Sequence, residues 1–248
     1  MKGYIEAFEI FFFRVPCSQK NSQCWLKLAH DLLQSLKKCY VKDLCSTNLL
    51  EIFNMTIFLI RHAQSAFNAV HDPLKPDPMI FDAPITKLGE VQAQQARSQI
   101  EKLDIRTVIV SPFTRTLQTA QLIFGNRLPF QISADVREQL CNSCDVGSTP
   151  NELSKNFPYF DFNHLDERWW YDGAKDHRGI PVEPEEVLIE RTNSFKTRLI
   201  RENIHSTAIV SHGNFIRALT GIKPKNCEIV SFDPRDPILE EIDDRRFC

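Results

Sequence analysis

From residue 55 onward the chain alternates short apolar runs with longer stretches in which apolar positions recur every three or four residues. The runs are "MTIFLI" (55–60), "RTVIV" (106–110), a weaker one at about 129–133, "STAIVS" (206–211) and "CEIVSF" (227–232). Three of them are continuous enough to read as strands buried on both faces, the signature of a parallel sheet. Between them the period lengthens. Thr86 reads as the N-cap of a helix running to about Lys102, with Val91, Ala93, Ala96 and Ile100 among its apolar positions. "SPFTRTLQTAQLIFG" offers Ser111 as N-cap, Pro112 at the first helical position and Gly125 as the stop. "EPEEVLIERTNSFKTRLIREN" predicts a long helix, acidic at its start and basic toward its end, as the helix dipole prefers. Strand and helix in alternation predict an α/β fold: a three-layer sandwich with a mostly parallel central sheet flanked by helices.

Residues 1–54 do not share that pattern. Trp25, Leu28, Leu32, Leu36 and Tyr40 fall at helical spacing and permit one amphipathic helix over about 24–40. The competing reading makes 1–54 a leader outside the native product, because Met55 stands directly before the first strong strand. The chain then divides into a leader, 1–54, and a catalytic domain, 55–248. Glu6 and Glu9 interrupt the apolar start "MKGYIEAFEIFFFRVPC", no small-residue cleavage site follows, and no apolar run is long enough to span a bilayer. The expectation is a cytoplasmic protein without a membrane partner.

A formal net charge of −2, with the basic residues dispersed, argues against a nucleic-acid partner and requires any cationic site to be local. Of the eight cysteines, Cys17, Cys24, Cys39 and Cys45 crowd the leader, which is not how a disulfide framework is distributed. Cys141 and Cys144 form a lone C-x-x-C, with no second pair to complete four zinc ligands. They read as structural buried thiols, with a place lining the pocket mouth as the alternative, and no metal is expected.

In open α/β sheets ligands bind beyond the carboxyl ends of the strands. Three predicted strands end there in reactive groups: "FLIRHAQS", "VIVSPFTR" and "AIVSHGN". A single strand-end histidine is more often structural than catalytic. Two of them, His62 and His212, beside the guanidinium forks of Arg61 and Arg115, make a small cationic pocket suited to a phosphoryl group.

In this order and spacing, "LIRHAQSAFN", "TKLGEVQAQQA", "VSPFTRTLQTA", "VREQL" and "VSHGNFIRAL" resemble the histidine phosphatase superfamily, which includes cofactor-dependent phosphoglycerate mutases and fructose-2,6-bisphosphatases. The resemblance covers about residues 55–233. It implies His62 as the nucleophile that becomes phosphohistidine. Arg61, Arg115 and His212 are implied as holders of the phosphoryl oxygens, with Asn68 a further phosphate contact, and Glu138 as the acid that protonates the leaving oxygen. A histidine is nucleophilic only when neutral, and two arginines plus a second histidine disfavour its protonation. Preorganised cations stabilise the charge of a phosphoryl transition state, so neither metal nor cofactor is implied. One position departs from the family's commonest form: Ala63 follows the histidine where glycine is usual.

His212 follows Glu138 by 74 positions, which resembles the compact phosphatases more than the mutases with their longer insertion. The expected activity is a metal-independent phosphatase acting on phosphomonoesters. The alternatives are a phosphoglycerate mutase-like phosphotransferase and a non-catalytic phosphate-binding scaffold. "FDFNHLDERWWYDGAKDHRGIPVEPEE" is long, irregular and rich in aromatic and basic residues, and reads as a lid. Arg168, Trp169, Trp170, His177 and Arg178 are its candidate substrate contacts, although packing of the tryptophans onto the sheet is the stronger reading for those two. The partner is a small phosphorylated substrate, with a phosphoprotein also open.

Overall fold

The computed structural model describes residues 55–237. The leader, the helix expected at 24–40 and the cysteines before residue 55 lie outside them. The strands are β1 (Ile57–Arg61), β2 (Thr107–Val110), β3 (Phe130–Ile132), β4 (Thr207–Ser211) and β5 (Ile229–Phe232). The helices are α1 (Ala66–Val70), α2 (Lys87–Ile100), α3 (Thr114–Phe124), α4 (Pro150–Asn156), α5 (Glu185–Arg201) and α6 (Gly213–Thr220). The five strands form one sheet in the order β3-β2-β4-β1-β5, parallel except for β5, which runs against β1. The expected α/β class is therefore the observed one.

The central strands β1, β2 and β4 feed two cores by their period of two. Ile60, Val108, Val110, Ala208 and Val210 face one layer, shared with Ala93, Ala96 and Ile100 of α2 and Leu117, Ala120 and Ile123 of α3. Ile57, Leu59, Ile109, Ile209, Val230 and Phe232 face the other, against Leu188, Phe195 and Leu199 of α5 and Phe215, Ile216 and Leu219 of α6. Helices on both faces leave β1, β2 and β4 little solvent side, which is why their sequences are nearly continuous apolar runs, while the edge strands β3 and β5 expose Gln131 and Ser231.

Thr86 caps α2 as expected, its hydroxyl accepting from the Gly89 N–H at 3.1 Å. Gly89 is needed there: a Cβ would lie 2.4 Å from the Gln64 carbonyl oxygen, so only glycine lets α2 approach the loop after β1. The start of α3 departs from the expectation. Neither Ser111 nor Pro112 begins it; the chain stays extended through Phe113, and the helix opens at Thr114. Its cap is tertiary. Asp82, 32 residues earlier, accepts from the Thr114 N–H at 2.9 Å and from the Thr114 hydroxyl at 2.7 Å, while Ser148 donates to the same carboxylate at 2.6 Å. Gly125 ends α3 as expected, at φ +57°. The long helix α5 begins with Glu185 and Glu186 and has Arg198 and Arg201 in its last turn. Among the described residues no helix is long and apolar enough to cross a membrane.

Candidate active site

The carboxyl ends of β1, β4 and β2 sit side by side at one rim. The registers align Arg61 with Ser211 and Val110 with Val210, so Arg61–His62, Ser211–His212 and Ser111 emerge together. The His62 and His212 rings lie 5.2 Å apart, centroid to centroid, and both residues are buried. The Nδ1 of His62 lies 2.7 Å from the Ala63 carbonyl oxygen. A carbonyl only accepts, so Nδ1 carries the proton and Nε2 holds the lone pair. Burial first, then the charges of Arg115 and Arg61, pull the His62 pKa well below the usual histidine value. His212 is lowered in the same way, by burial and then by Arg115, His62 and Arg61. Its Nε2 pairs with the Ser111 hydroxyl at 2.8 Å.

Arg61 donates to the Pro224 carbonyl at 2.8 Å through Nη1. Among the described residues, its Nε and the Nδ1 of His212 are buried polar atoms without a hydrogen-bond partner, as are the Nε atoms of Arg137 and Arg198. Buried groups of this kind are uncommon, and those of Arg61 and His212 stand at the rim where a ligand's oxygens could meet them. Arg115, only 2% exposed, is anchored from behind: Nη1 donates to the Cys144 carbonyl at 2.7 Å and Nη2 to Asp145 at 2.9 Å. Its guanidinium also lies 4.3 Å from the centre of the Phe113 ring. Burial works against its charge, but the surrounding anions outweigh that and raise its pKa.

Glu138 arrives from a segment with little regular structure. One carboxylate oxygen accepts from the Gln139 and Phe215 N–H groups at 3.0 and 3.1 Å, and the other from the Asn214 N–H at 3.2 Å. The carboxylate thus sits on the first turn of α6, directly after His212. Burial and then the Asp145 charge raise its pKa, against Arg115 and the backbone donors of Asn214 and Gln139. Arg61, His62, Arg115, Glu138 and His212 are therefore brought to one place. Asn68 is turned partly to local work: its Oδ1 closes the capping box of α1 with Ser65, and also accepts from Asn226 at 3.4 Å. Its amide NH2 is the group left to donate.

The segment after α4 is irregular, as expected, and several of its candidate contacts are engaged within the protein. Trp169 is buried, edge-on to Phe113 at 4.7 Å, and its indole N–H donates to the Ser148 carbonyl at 2.9 Å. Packing is its role, and Trp170 stacks edge-on beside it at 5.5 Å. Arg168 is exposed and paired with Asp172. With Trp169 it lines a cavity of about 620 Å³ beside β3 that includes none of the five rim residues. Arg178 pairs with Asp176 and Asp77 and donates to the Cys141 carbonyl at 2.7 Å, which ties the segment down. His177 is exposed. Cys144 is a buried thiol whose pKa burial pushes well up, unsuited to nucleophilic work.

Three charged side chains packed around the site escape sequence reasoning. Asp145 follows the cysteine pair and was masked by it. Glu183 and Arg191 look like ordinary charges around the start of a helix. A carboxylate next to a C-x-x-C was the only available signal.

Residues 57–224 match the family model of the histidine phosphatase superfamily, branch 1. A probable phosphatase of Schizosaccharomyces pombe is 28% identical over 193 residues, covering 69% of this chain and 80% of that protein. A phosphoglycerate mutase-like protein of Arabidopsis thaliana is 27% identical over 210 residues, covering 69% and 76%. Among solved structures, the ecdysone phosphate phosphatase of Bombix mori in complex with tungstate aligns with a TM-score of 0.49 at 15% identity, covering 78% of this chain and 98% of that one. With the family model matched over more than half its length, the chain belongs to the histidine phosphatase superfamily, branch 1.

Proposed function

We propose that this chain hydrolyses phosphomonoesters through a phosphohistidine on His62, with Glu138 as general acid and then general base. Phosphatase activity as a class accords with its family. The observation that carries the finer reading is the state of His62: neutral, held as the Nδ1–H tautomer by the Ala63 carbonyl, with Arg61, Arg115 and His212 around it.

The Nε2 lone pair attacks phosphorus while the bond to the ester oxygen breaks. That oxygen takes the proton of Glu138, whose raised pKa keeps a proton available. Arg61, Arg115 and His212 hold the equatorial oxygens as their charge develops. The Glu138 carboxylate then takes a proton from water as the water oxygen attacks phosphorus, which releases inorganic phosphate and restores neutral His62. The cations needed for charge stabilisation are side chains, so the scheme requires no metal.

A mutase-like phosphotransferase would use the same first step and pass the phosphoryl group to a second hydroxyl instead of water. A scaffold would bind phosphate and form no adduct. The test is a panel of small phosphomonoesters in EDTA, with phosphate release and intact protein mass followed together. The wild type is expected to release phosphate and show an acid-labile phosphoryl adduct. His62→Ala is expected to lose at least about 10⁴-fold in turnover, the scale of losing a nucleophile, and to show no adduct. Equal release from wild type and His62→Ala would sink the reading.

A further inference from the structure

The residue proposed as the acid is the one that regular structure holds least. Glu138 follows a single 3₁₀ turn, Ala134–Val136, and precedes an irregular stretch, yet a general acid must meet its leaving oxygen within hydrogen-bond reach. We propose that Arg191 and Glu183 form a buried ion pair whose task is to position Glu138, so that Arg191 is a positioning residue for leaving-group protonation. This rests on Glu138 being the acid.

The geometry is unusually complete. Nη1 of Arg191 donates to the carbonyls of both Asp135 and Arg137 at 2.9 Å, and Nη2 reaches the Glu138 carbonyl at 3.5 Å. The carbonyl between them, that of Val136, takes the hydroxyl of Ser211 at 2.7 Å, from the end of β4 beside His212. Every carbonyl from 135 to 138 is thus held by a side chain of α5 or β4. Glu183 holds the other flank. It accepts from Arg191 at 3.1 Å, from Arg137 at 3.1 Å and from the Leu140 N–H at 3.2 Å. Its own backbone carbonyl takes the Gln139 side chain at 3.0 Å, and its N–H donates to the Leu140 carbonyl at 2.8 Å.

The Glu183 side chain is fully buried and that of Arg191 only 9% exposed. Burying such a pair seldom improves stability over an apolar one, so what it supplies is better sought in the geometry it imposes. A guanidinium can grip three carbonyls and a carboxylate at once because its donors are fixed in one plane; an ammonium cannot. His62 and His212 need no such device, because they are set by strand ladders.

The test separates positioning from mere support by the leaving group. p-Nitrophenyl phosphate departs as a stabilised phenolate and needs little protonation; glycerol phosphate departs as an alkoxide and needs it fully. The ratio of kcat/KM on the aryl ester to kcat/KM on the alkyl ester, which reports the step that expels the leaving group, is measured for the full chain and for Glu138→Gln, Arg191→Lys and Glu183→Gln. The ratio is expected to rise about 100-fold in Glu138→Gln and about 10-fold or more in Arg191→Lys and Glu183→Gln, the scale of a slightly misplaced catalytic group. A rise in Glu138→Gln with an unchanged ratio in both ion-pair variants overturns the positioning role and leaves the acid standing. An unchanged ratio in Glu138→Gln overturns the acid itself. Glu183→Gln keeps the shape of the side chain and serves if Arg191→Lys does not fold.

Discussion

The two halves of this site are fixed by different physics. Arg61, His62 and His212 stand at the ends of β1 and β4, where ladder hydrogen bonds and two apolar layers determine position before any catalytic contact is made. Glu138 and Arg115 are placed by charge: one on a segment stapled through Glu183 and Arg191, the other with its guanidinium anchored on Asp145 and the Cys144 carbonyl. The strand-borne half relies on hydrophobic burial, which is non-directional, and obtains direction from the sheet. The other half needs directional interactions within the protein interior, where leaving any partner unmatched is costly.

The sharpest way to break that comparison is to remove one arginine from each half. Arg115→Ala and Arg61→Ala are both expected to lower kcat by about 10²–10³-fold, as for loss of one transition-state donor. Their stabilities should diverge. Arg115→Ala strands the buried Asp145 carboxylate and is expected to cost about 3–5 kcal/mol. Arg61→Ala gives up a single bond to the Pro224 carbonyl and is expected to cost about 1 kcal/mol, close to the ordinary worth of one hydrogen bond. Urea unfolding of the two variants measures the gap. Equal losses would mean that Asp145 is not the charge-dependent anchor described.

Asp145 offers a smaller effect with a defined sign. Facing Glu138 are the Asp145 carboxylate, which raises its pKa, and the Arg115 guanidinium with the Asn214 and Gln139 N–H groups, which lower it. Asp145→Asn removes the negative charge and leaves Arg115 uncompensated, and both changes pull Glu138 down. In the proposed scheme the acid is protonated in the first half-reaction, so the alkaline limb of kcat/KM is expected to move to lower pH, since that limb reports the free enzyme's acid. The amide NH2 would also face the Cys141 and Asn142 N–H donors, which costs about 1–3 kcal/mol. A limb that stays in place, or moves to higher pH, would remove Asp145 from the tuning of the acid.

How legible each half was in the sequence follows from the same physics. An apolar run that stops at "RH" or "SH" announces a buried strand and a polar rim together, because burial on both faces leaves no other place for those groups. Gly89 in "TKLGE" could be matched to the family but not explained until the Gln64 carbonyl was found against it. The cap of α3 was not legible: Ser111 has the right residue type and spacing, but its hydroxyl serves His212, and Asp82 caps from a distant loop. Glu183 and Arg191 were hidden for a related reason. A charge near a helix start is ordinarily solvated, and only the tertiary fold reveals that this pair is buried. In the lid the stronger reading of the tryptophans, packing, agrees with the burial of Trp169, whereas Arg178, offered as a substrate contact, is tied to Asp77, Asp176 and the Cys141 carbonyl by partners distant in sequence or hidden in a loop.

Ala63 provides the finest test of the strand-borne half. If the position needed a left-handed backbone, alanine there would be strained and restoring the family's usual glycine would relieve it. Ala63 is not among the residues with positive φ. Its methyl is fully buried in the core beside α3, and its N–H donates to the Thr119 hydroxyl at 3.0 Å. Its carbonyl is the acceptor that sets the His62 tautomer, a task independent of the side chain. Ala63→Gly should therefore bring no gain. Losing one buried methyl and adding backbone freedom to the unfolded chain predict a stability loss of about 1 kcal/mol. Turnover should stay within about twofold of wild type, a barrier change of about 0.4 kcal/mol. A tenfold rise in turnover would mean that alanine does strain the nucleophile loop, and that the sheet does not position His62 on its own.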